Sequence, residues 1–435
     1  MTVGFAGLSH LGLVSSIVTA SKGFEVVAYD GDPELCRRLG GAQLPAFEPG
    51  LAELLAAARS RLTFTADPAL LASCGVVFFA LDTPTDEEGR SDLAPLRHLV
   101  ADVVGQAGGE PVLVVLSQVP PGFTRSLADD LFDGRQPDSA RVFSQVETLI
   151  IGRAVERALH PERFIVGCRD SQAALPPAYR KVLEAFGCPI LLMRYESAEL
   201  AKIAVNVWLA TSVSVTNTLA ELCEAIGADW SEVAPALKLD RRIGPHAYAS
   251  PGLGIAGGNL ERDLTTVATL ATEHGTDASL VEACLANSQY RRDWALRNVH
   301  SLLVERNGQP LIAVWGLAYK PDTSWTRNSP ALALIRSLAP LAIRAYDPQA
   351  RLDPAAFPHA AQVESALEAC RGAAVLAIMT PWAEFSTCDL REVRKCMAGN
   401  GIVDPFACLD PVSCSNVEFR HLRLGSRVAP AGLQP

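Results

Sequence analysis

The first thirty residues constrain the fold most. An apolar run, Thr2 to Ala6, enters the turn Gly7-Leu8-Ser9-His10-Leu11-Gly12, and a second apolar run, Phe24 to Tyr29, ends at Asp30. Gly7 permits a tight strand-to-helix turn, and Gly12 lets the helix pack close to the strand. The N-terminus of that helix offers unpaired N–H groups to a pyrophosphate. The pattern predicts a dinucleotide-binding βαβ unit with Gly7, Ser9, His10, Leu11 and Gly12 at the phosphates, Ser9 standing where such turns carry their middle glycine. An acid at the end of the second strand accepts hydrogen bonds from ribose hydroxyls and repels a 2′-phosphate, so Asp30 favours NAD over NADP.

At 435 residues the chain exceeds a single core and predicts two or three domains. With 49% hydrophobic and 20% charged residues its composition is that of an ordinary soluble protein. No apolar stretch reads as long enough to span a bilayer without a charge or a turn, and no basic leader precedes the first strand, so a cytoplasmic protein with no membrane partner is expected. The eleven cysteines are scattered, without a CxxC pair. That argues against a disulfide framework and against a metal site, and predicts small buried hydrophobes instead. A net charge of -10 with no basic run excludes nucleic acid as an expected partner, while local arginines leave room for a small anionic substrate.

Further apolar runs at Val76 to Leu81, Val112 to Leu116, Val142 to Phe143 and Phe164 to Val166 alternate with alanine- and leucine-rich segments, a pattern that reads as a parallel α/β sheet. Glu196 to Gly227 has no proline and no internal glycine, and predicts one long helix ended by Gly227. A second alternating region follows, with strands at Leu311 to Trp315, Ile343 to Tyr346, Val375 to Met379 and Ile402 to Val403, and a helix from Pro330 to Leu338. The expected fold class is therefore α/β, two Rossmann-like doubly wound domains joined by a long central helix. Its expected parts are 1–195, a helical 196–300, a smaller lobe 301–425 and a loose tail 426–435.

Two clusters carry the candidate chemistry. Glu199, Lys202, Asn206, Asn217 and Glu221 fall at spacings near whole helical turns and share one face of the long helix. Lys202 and Asn206, four residues apart, can hold one hydroxyl, the lysine relaying its proton and the amide orienting its oxygen. The apolar neighbours Ile203, Ala204, Val205, Val207, Trp208 and Leu209 favour a buried stripe over a solvated face. The second cluster joins Arg242 to a glycine loop, Pro251-Gly252-Leu253-Gly254-Ile255-Ala256-Gly257-Gly258-Asn259, that ends in Arg262-Asp263 and whose backbone can lie against a ligand.

These features occur in order with others: Asp32-Pro33, Phe47-Glu48-Pro49-Gly50-Leu51, Thr83-Pro84-Thr85, Ser117 with Val119-Pro120-Pro121-Gly122, Glu147 with Leu149 and Gly152, Gly316-Leu317-Ala318-Tyr319-Lys320-Pro321, Arg327 with Ser329-Pro330, Tyr346-Asp347-Pro348, and Thr380 with Trp382. In this series the chain resembles the UDP-glucose/GDP-mannose dehydrogenase family along nearly its whole length. The resemblance implies an N-terminal NAD domain, a long helix that builds a homodimer or higher homo-oligomer, and a C-terminal domain for the nucleotide of a sugar nucleotide, most readily a UDP-sugar. It implies oxidation of a sugar C6 alcohol to a carboxylate with two NAD. By position it assigns Glu147, Lys202, Asn206 and Asp263 to the reacting centre, and Thr83, Pro84, Gln118 and Arg327 to the cofactor. Arg242, Gly254, Gly257 and Lys320 fall to the substrate, Arg242 by reaching the site of a second subunit and Lys320, like Arg327, as an anion contact.

The chain also departs from the family. A gap-free register from Pro251 to Asp263 puts Asn259 where the family has its catalytic cysteine, and Arg262 where it has a lysine. An amide forms no thiohemiacetal, so the covalent route from aldehyde to acid is closed. Gln118 replaces a threonine, Ile150 and Ile151 replace an Arg-Glu pair, and Phe406 stands in a segment that would supply an arginine. Removing a hydride needs only NAD beside an alcohol carbon and a base for its proton, so the expected reaction is two-electron oxidation to an aldehyde or ketone, an acid reached through a hydrated aldehyde without a covalent intermediate, or oxidation of an altered substrate in a pocket reshaped at Gln118 and Ile151. The alternative is a catalytically silent NAD or sugar-nucleotide binder.

Overall fold

Runs that are apolar on both faces become central strands, since a parallel strand is covered by helices on either side. The computed structural model describes residues 1–45, 47–83, 91–106, 110–132, 141–150, 152–255, 259–304 and 310–426, the side chain of Asn259 excepted. It divides into two units, Met1–Val205 and Asn206–Pro435.

In the first unit the described strands are β1 (Thr2–Ala6), β2 (Glu25–Tyr29), β3 (Leu62–Thr65), β4 (Val76–Phe79), β5 (Val112–Val115), β6 (Val142–Gln145), β7 (Phe164–Cys168) and β8 (Ile190–Arg194). They form one sheet in the order β3-β2-β1-β4-β5-β6-β7-β8. The chain order reverses between β1 and β4, and a doubly wound sheet binds its ligand at the carboxyl ends of the strands beside such a switch. The helix His10–Ser21 links β1 to β2 and buries Leu13, Val14, Ile17 and Val18 in the core beneath.

The expectation of a wholly parallel sheet is corrected at one place: β6 and β7 run antiparallel, Ser144 opposite Gly167 and Gln145 opposite Val166. Among its described residues the segment between them carries the short helix Ala154–Leu159, and an antiparallel partner spares the chain a full crossover. Glycine is favoured in that pair, because a Cβ at Gly167 would stand 2.9 Å from Ala198 Cβ and 3.1 Å from Tyr195 Cα, neither of which can rotate away.

The helix Tyr195–Ile226 runs across the boundary between the units and stops where Gly227 takes φ +83°. It overturns the expectation that no apolar stretch is long enough for a bilayer: it has 32 residues with a window of mean hydropathy 1.3, long and apolar enough by length and composition. No charge lies between Lys202 and Glu221, but hydroxyls there bond within the protein. Thr211, Ser212, Ser214 and Thr218 each donate to the carbonyl four residues earlier, and Thr216 donates to Tyr248.

In the second unit the helices Asn259–His274, Ser279–Arg292 and Trp294–Leu303 precede a sheet of β9 (Leu311–Trp315), β10 (Ile343–Tyr346), β11 (Ala360–Gln362), β12 (Ala373–Ile378), β13 (Gly401–Asp404) and β14 (Arg420–Arg423). Its order is β11-β10-β9-β12-β13-β14, parallel throughout. Gly425 and Ser426 are anchored: Gly425 N–H donates to Glu224, its carbonyl accepts from Trp230, and Ser426 bonds Asp229. All eleven cysteines are free thiols, most of them buried.

The turn after β9 is held by Asp347, which is fully buried at the end of β10. One oxygen accepts from the amides of Leu317 (2.6 Å) and Ala318 (3.1 Å) and from Trp382 Nε1 (3.1 Å), the other from the amides of Gln349 and Ala350. Truncation would leave these buried donors without an acceptor. Asp347→Ala is therefore expected to cost about 3 kcal/mol or more of stability in urea unfolding; a loss under about 1 kcal/mol would show that the carboxylate is dispensable.

Candidate functional site

The turn after β1 is shaped for an anion. Gly7 sits at φ +90° and donates its N–H to Tyr29 O at 2.9 Å. A Cβ at Gly12 would stand 1.9 Å from Gly7 O, so only glycine lets the helix start this close to the strand. Ser9 takes an extended conformation open to any residue, φ −61° and ψ 178°, and needs no glycine. Its hydroxyl donates to Ala80 O at 2.9 Å and does not cap the helix. The first turn of His10–Ser21 has no acidic side chain, so its amides and the positive end of the helix dipole are left for a ligand. A pyrophosphate fits this cradle.

Asp30 closes the turn. One carboxylate oxygen accepts from Leu8 N–H at 2.8 Å, the other from Asp32 N–H at 3.0 Å. Each oxygen keeps acceptor capacity for a ribose diol, and the negative charge opposes a 2′-phosphate. The carboxyl ends of β4 and β5 bring Thr83 and Gln118 together, Thr83 Oγ1 donating to Gln118 O at 3.3 Å. Pro84 lies outside the described residues.

Glu147, in the loop after β6, is partly buried, and its Oε1 accepts from Thr148 N–H at 2.6 Å. Burial pushes its carboxyl above the usual range, against the Thr148 amide and the charges of Lys202 and Arg157, which hold it down. Glu147 and Lys202 therefore share one electrostatic environment. It borders a cavity whose polar lining includes Ser15, Thr19, Gln145 and Arg163. Gln145 is fixed there by Tyr179, whose hydroxyl donates to its carbonyl oxygen at 2.8 Å.

The polar stripe of the long helix divides by role. Glu199 is buried and accepts the amides of Gly122 (2.6 Å) and Thr124 (2.9 Å) at the start of the helix Phe123–Phe132. Asn217 accepts Gly252 N–H at 2.8 Å, and Glu221 accepts from the Tyr290 hydroxyl at 2.7 Å and faces Arg291 at 3.1 Å. These residues fix loops and neighbouring helices. Asn206 faces the reacting-centre candidate Asp263, its Nδ2 donating to Oδ2 at 2.5 Å; both are buried, and Arg262 lies 3.3 Å from the other oxygen. Lys202 is half-buried one turn before Asn206. Trp208, used as a sign of burial, is instead 79% exposed and starts a ridge with Val215, Leu219, Leu222 and Ile226.

The remaining candidates are spread over the second unit. Arg242 is exposed and bonds Asp240 at 2.7 and 3.0 Å. Gly254 at φ +75° leans on the helix Ser279–Arg292, where a Cβ would meet Ser288 O at 2.4 Å, and Ser288 Oγ accepts Ile255 N–H. Gly257 and the side chain of Asn259 lie outside the described residues, though Asn259 opens the helix to His274. Lys320 and Arg327 lie between β9 and the helix Pro330–Ser337, Lys320 over the ring of Tyr319. Glu48, a residue that carries no role in the sequence reading, buries its carboxylate against His10 and the amides of Gly152 and Ala154. A charge within the otherwise uncharged run Phe47-Glu48-Pro49-Gly50-Leu51 was the signal.

With this geometry in place, the likeness to known proteins is specific. The NAD binding domain of the UDP-glucose/GDP-mannose dehydrogenase family matches residues 1–186, its central domain 196–289, and its UDP binding domain 313–411. The chain is 31% identical over 413 residues to the UDP-glucose 6-dehydrogenase TuaD of Bacillus subtilis, covering 92% of this chain and 88% of that protein. It is 30% identical over 437 residues to the UDP-glucose 6-dehydrogenase of Pseudomonas aeruginosa, covering 96% of each. The solved UDP-glucose dehydrogenase of Pyrobaculum islandicum superposes with a TM-score of 0.81 at 28% identity, over 93% of each chain. A UDP-D-ManNAc dehydrogenase from Pyrococcus horikoshii gives 0.85 at 25% identity over 99% of this chain and 100% of the other. The chain belongs to the UDP-glucose/GDP-mannose dehydrogenase family and is an NAD-dependent oxidoreductase.

Proposed function

We propose that this protein oxidises a CH–OH group of a nucleotide sugar, a UDP-sugar first, and stops after two electrons. The supporting observation is the pairing of an uncapped, glycine-cradled helix N-terminus, closed by Asp30, with a UDP binding domain over 313–411. NAD supplies the hydride acceptor when bound, held by the amides after Gly7 and by Asp30, with Thr83, Pro84, Gln118 and Arg327 as further contacts. Lys202, in its neutral amine form, would accept the hydroxyl proton, and Asn206, set by Asp263, would orient the oxygen. Glu147 holds an acceptor at the same centre. Lys320, Gly254 and Gly257 serve the substrate, and Arg242 reaches it from a second subunit. Asn259 offers no thiol for a covalent second oxidation.

The assembly we propose is a homodimer through the exposed ridge Trp208, Val215, Leu219, Leu222 and Ile226, a patch at helical spacing that a second copy would cover. Its setting is the cytoplasm, in the making of polysaccharide or glycoconjugate precursors. Sedimentation equilibrium is expected to give a dimer that Leu222→Asp weakens; a monomeric wild type would contradict it.

The test of the reaction is anaerobic incubation with NAD and UDP-, GDP- and dTDP-sugars, counting NADH per sugar consumed by mass spectrometry. One NADH per sugar and a carbonyl product are expected. Two NADH and an acid would overturn the two-electron limit, and NAD binding without NADH from any sugar would favour the silent binder.

Glu147 adds a pH signature. A carboxyl raised by burial keeps its proton to a higher pH, so its ionised form is lost early on acidification. The acid limb of kcat/KM is expected above the ordinary glutamate value of 4.5 and absent in Glu147→Gln. A limb unmoved by that change would remove Glu147 from the centre.

A further inference from the structure

Glu48 lies in the segment before the helix Leu51–Ala58, and its burial is one-sided: Phe47 beside it is exposed, whereas the Glu48 side chain is wholly enclosed. A carboxylate enters such a place only with donors to meet it. Three do. Oε2 accepts from His10 Nε2 at 2.9 Å and from Gly152 N–H at 3.0 Å, and Oε1 accepts from Ala154 N–H at 2.8 Å. They come from two places far apart in sequence. His10 is the first residue of the helix whose open amides form the phosphate cradle. Gly152 and Ala154 stand at the start of the helix Ala154–Leu159, where a negative charge is favoured, and they end the loop that carries Glu147.

We infer that Glu48 is a positioning residue: its carboxylate locks the first residue of the cofactor helix to the end of the Glu147 loop, so that the phosphate cradle and the acidic loop hold one fixed relation within the first unit. The inference rests on the reading of the turn after β1 as the NAD site. Glu48 touches neither reacting atom, and it acts through the imidazole of His10 on one side and two amides on the other. The Glu48 backbone is set independently, its carbonyl accepting Leu51 N–H at 3.1 Å, so losing the carboxylate's contacts frees His10 and the loop without releasing the segment itself.

The test uses the full chain with Glu48→Gln, His10→Leu and His10→Gln, each checked for fold by circular dichroism. NAD affinity is read by titration calorimetry, and kcat and KM on the sugar nucleotide found active. Glu48→Gln replaces one of the two acceptor oxygens by an NH2 that faces a donor, and His10→Leu removes the bridge. Both are expected to weaken NAD binding about ten-fold or more and to lower kcat more than they raise the KM for the sugar. His10→Gln, whose amide can still donate to Glu48, is expected to recover most of what His10→Leu loses, and the double variant Glu48→Gln with His10→Leu to lose little beyond the larger single effect. A merely structural role would not produce that rescue. If His10→Leu binds NAD as tightly as the wild type, if His10→Leu and His10→Gln are equally impaired, or if the effects at Glu48 and His10 simply add, the clamp is overturned; should Glu48→Gln fail to fold, Glu48→Asp takes its place in the double variant. A wild-type chain that does not bind NAD would overturn the cofactor reading instead, which keeps the two failures apart.

Discussion

A backbone N–H just past a glycine turn is taken up by a carboxylate at the end of the next strand, and both sheets are organised around that bond. In the first, Gly7 donates to Tyr29 O and Leu8 to Asp30. In the second, Gly316 donates to Tyr346 O at 2.7 Å and Leu317 to Asp347. Both glycines sit at φ +90°, which a side chain resists. The bond fixes how the chain leaves the sheet at its switch point, and so fixes what the carboxyl ends of the strands can receive.

The two turns share this bond and differ in what surrounds the acid. Asp30 bonds two amides and keeps capacity to spare, beside a helix that starts three residues after the glycine with its amides uncapped. Asp347 takes five donors and is sealed from solvent. The helix that follows begins only at Pro330, capped by Ser329, whose hydroxyl accepts Ala331 N–H. The first turn keeps an open cradle within the NAD binding domain; the second has its acid committed to a long loop that carries Lys320 and Arg327.

The sequence was most legible where strands are buried on both faces. β1, β4, β5, β9, β12 and β13 read as apolar runs because helices cover them on both sides. β3, β8, β11 and β14 escaped, and each is an edge strand of mixed exposure whose pattern is diluted by solvent-facing residues. The antiparallel β6 and β7 pair was unreadable for a different reason: an apolar run has no direction. Ordered motifs placed the candidate site residues along the chain, yet not their partners. Glu199, Asn217 and Glu221 belong to the same stripe as Lys202 and Asn206, but their acceptors bind backbone and neighbouring side chains, a distinction that spacing on one helix does not carry. Trp208 misled because an apolar residue on a long helix need not face the protein's own core.

The proposed chemistry depends first on which dinucleotide the turn after β1 admits, because Asp30 closes that turn and is the residue we propose for the ribose. Titration calorimetry of NAD against NADP on the full chain reads this directly. NAD is expected to bind at least ten-fold more tightly, a difference of about 1.4 kcal/mol from one carboxylate facing a 2′-phosphate. Equal affinity for the two, or a preference for NADP, would contradict the role given to Asp30.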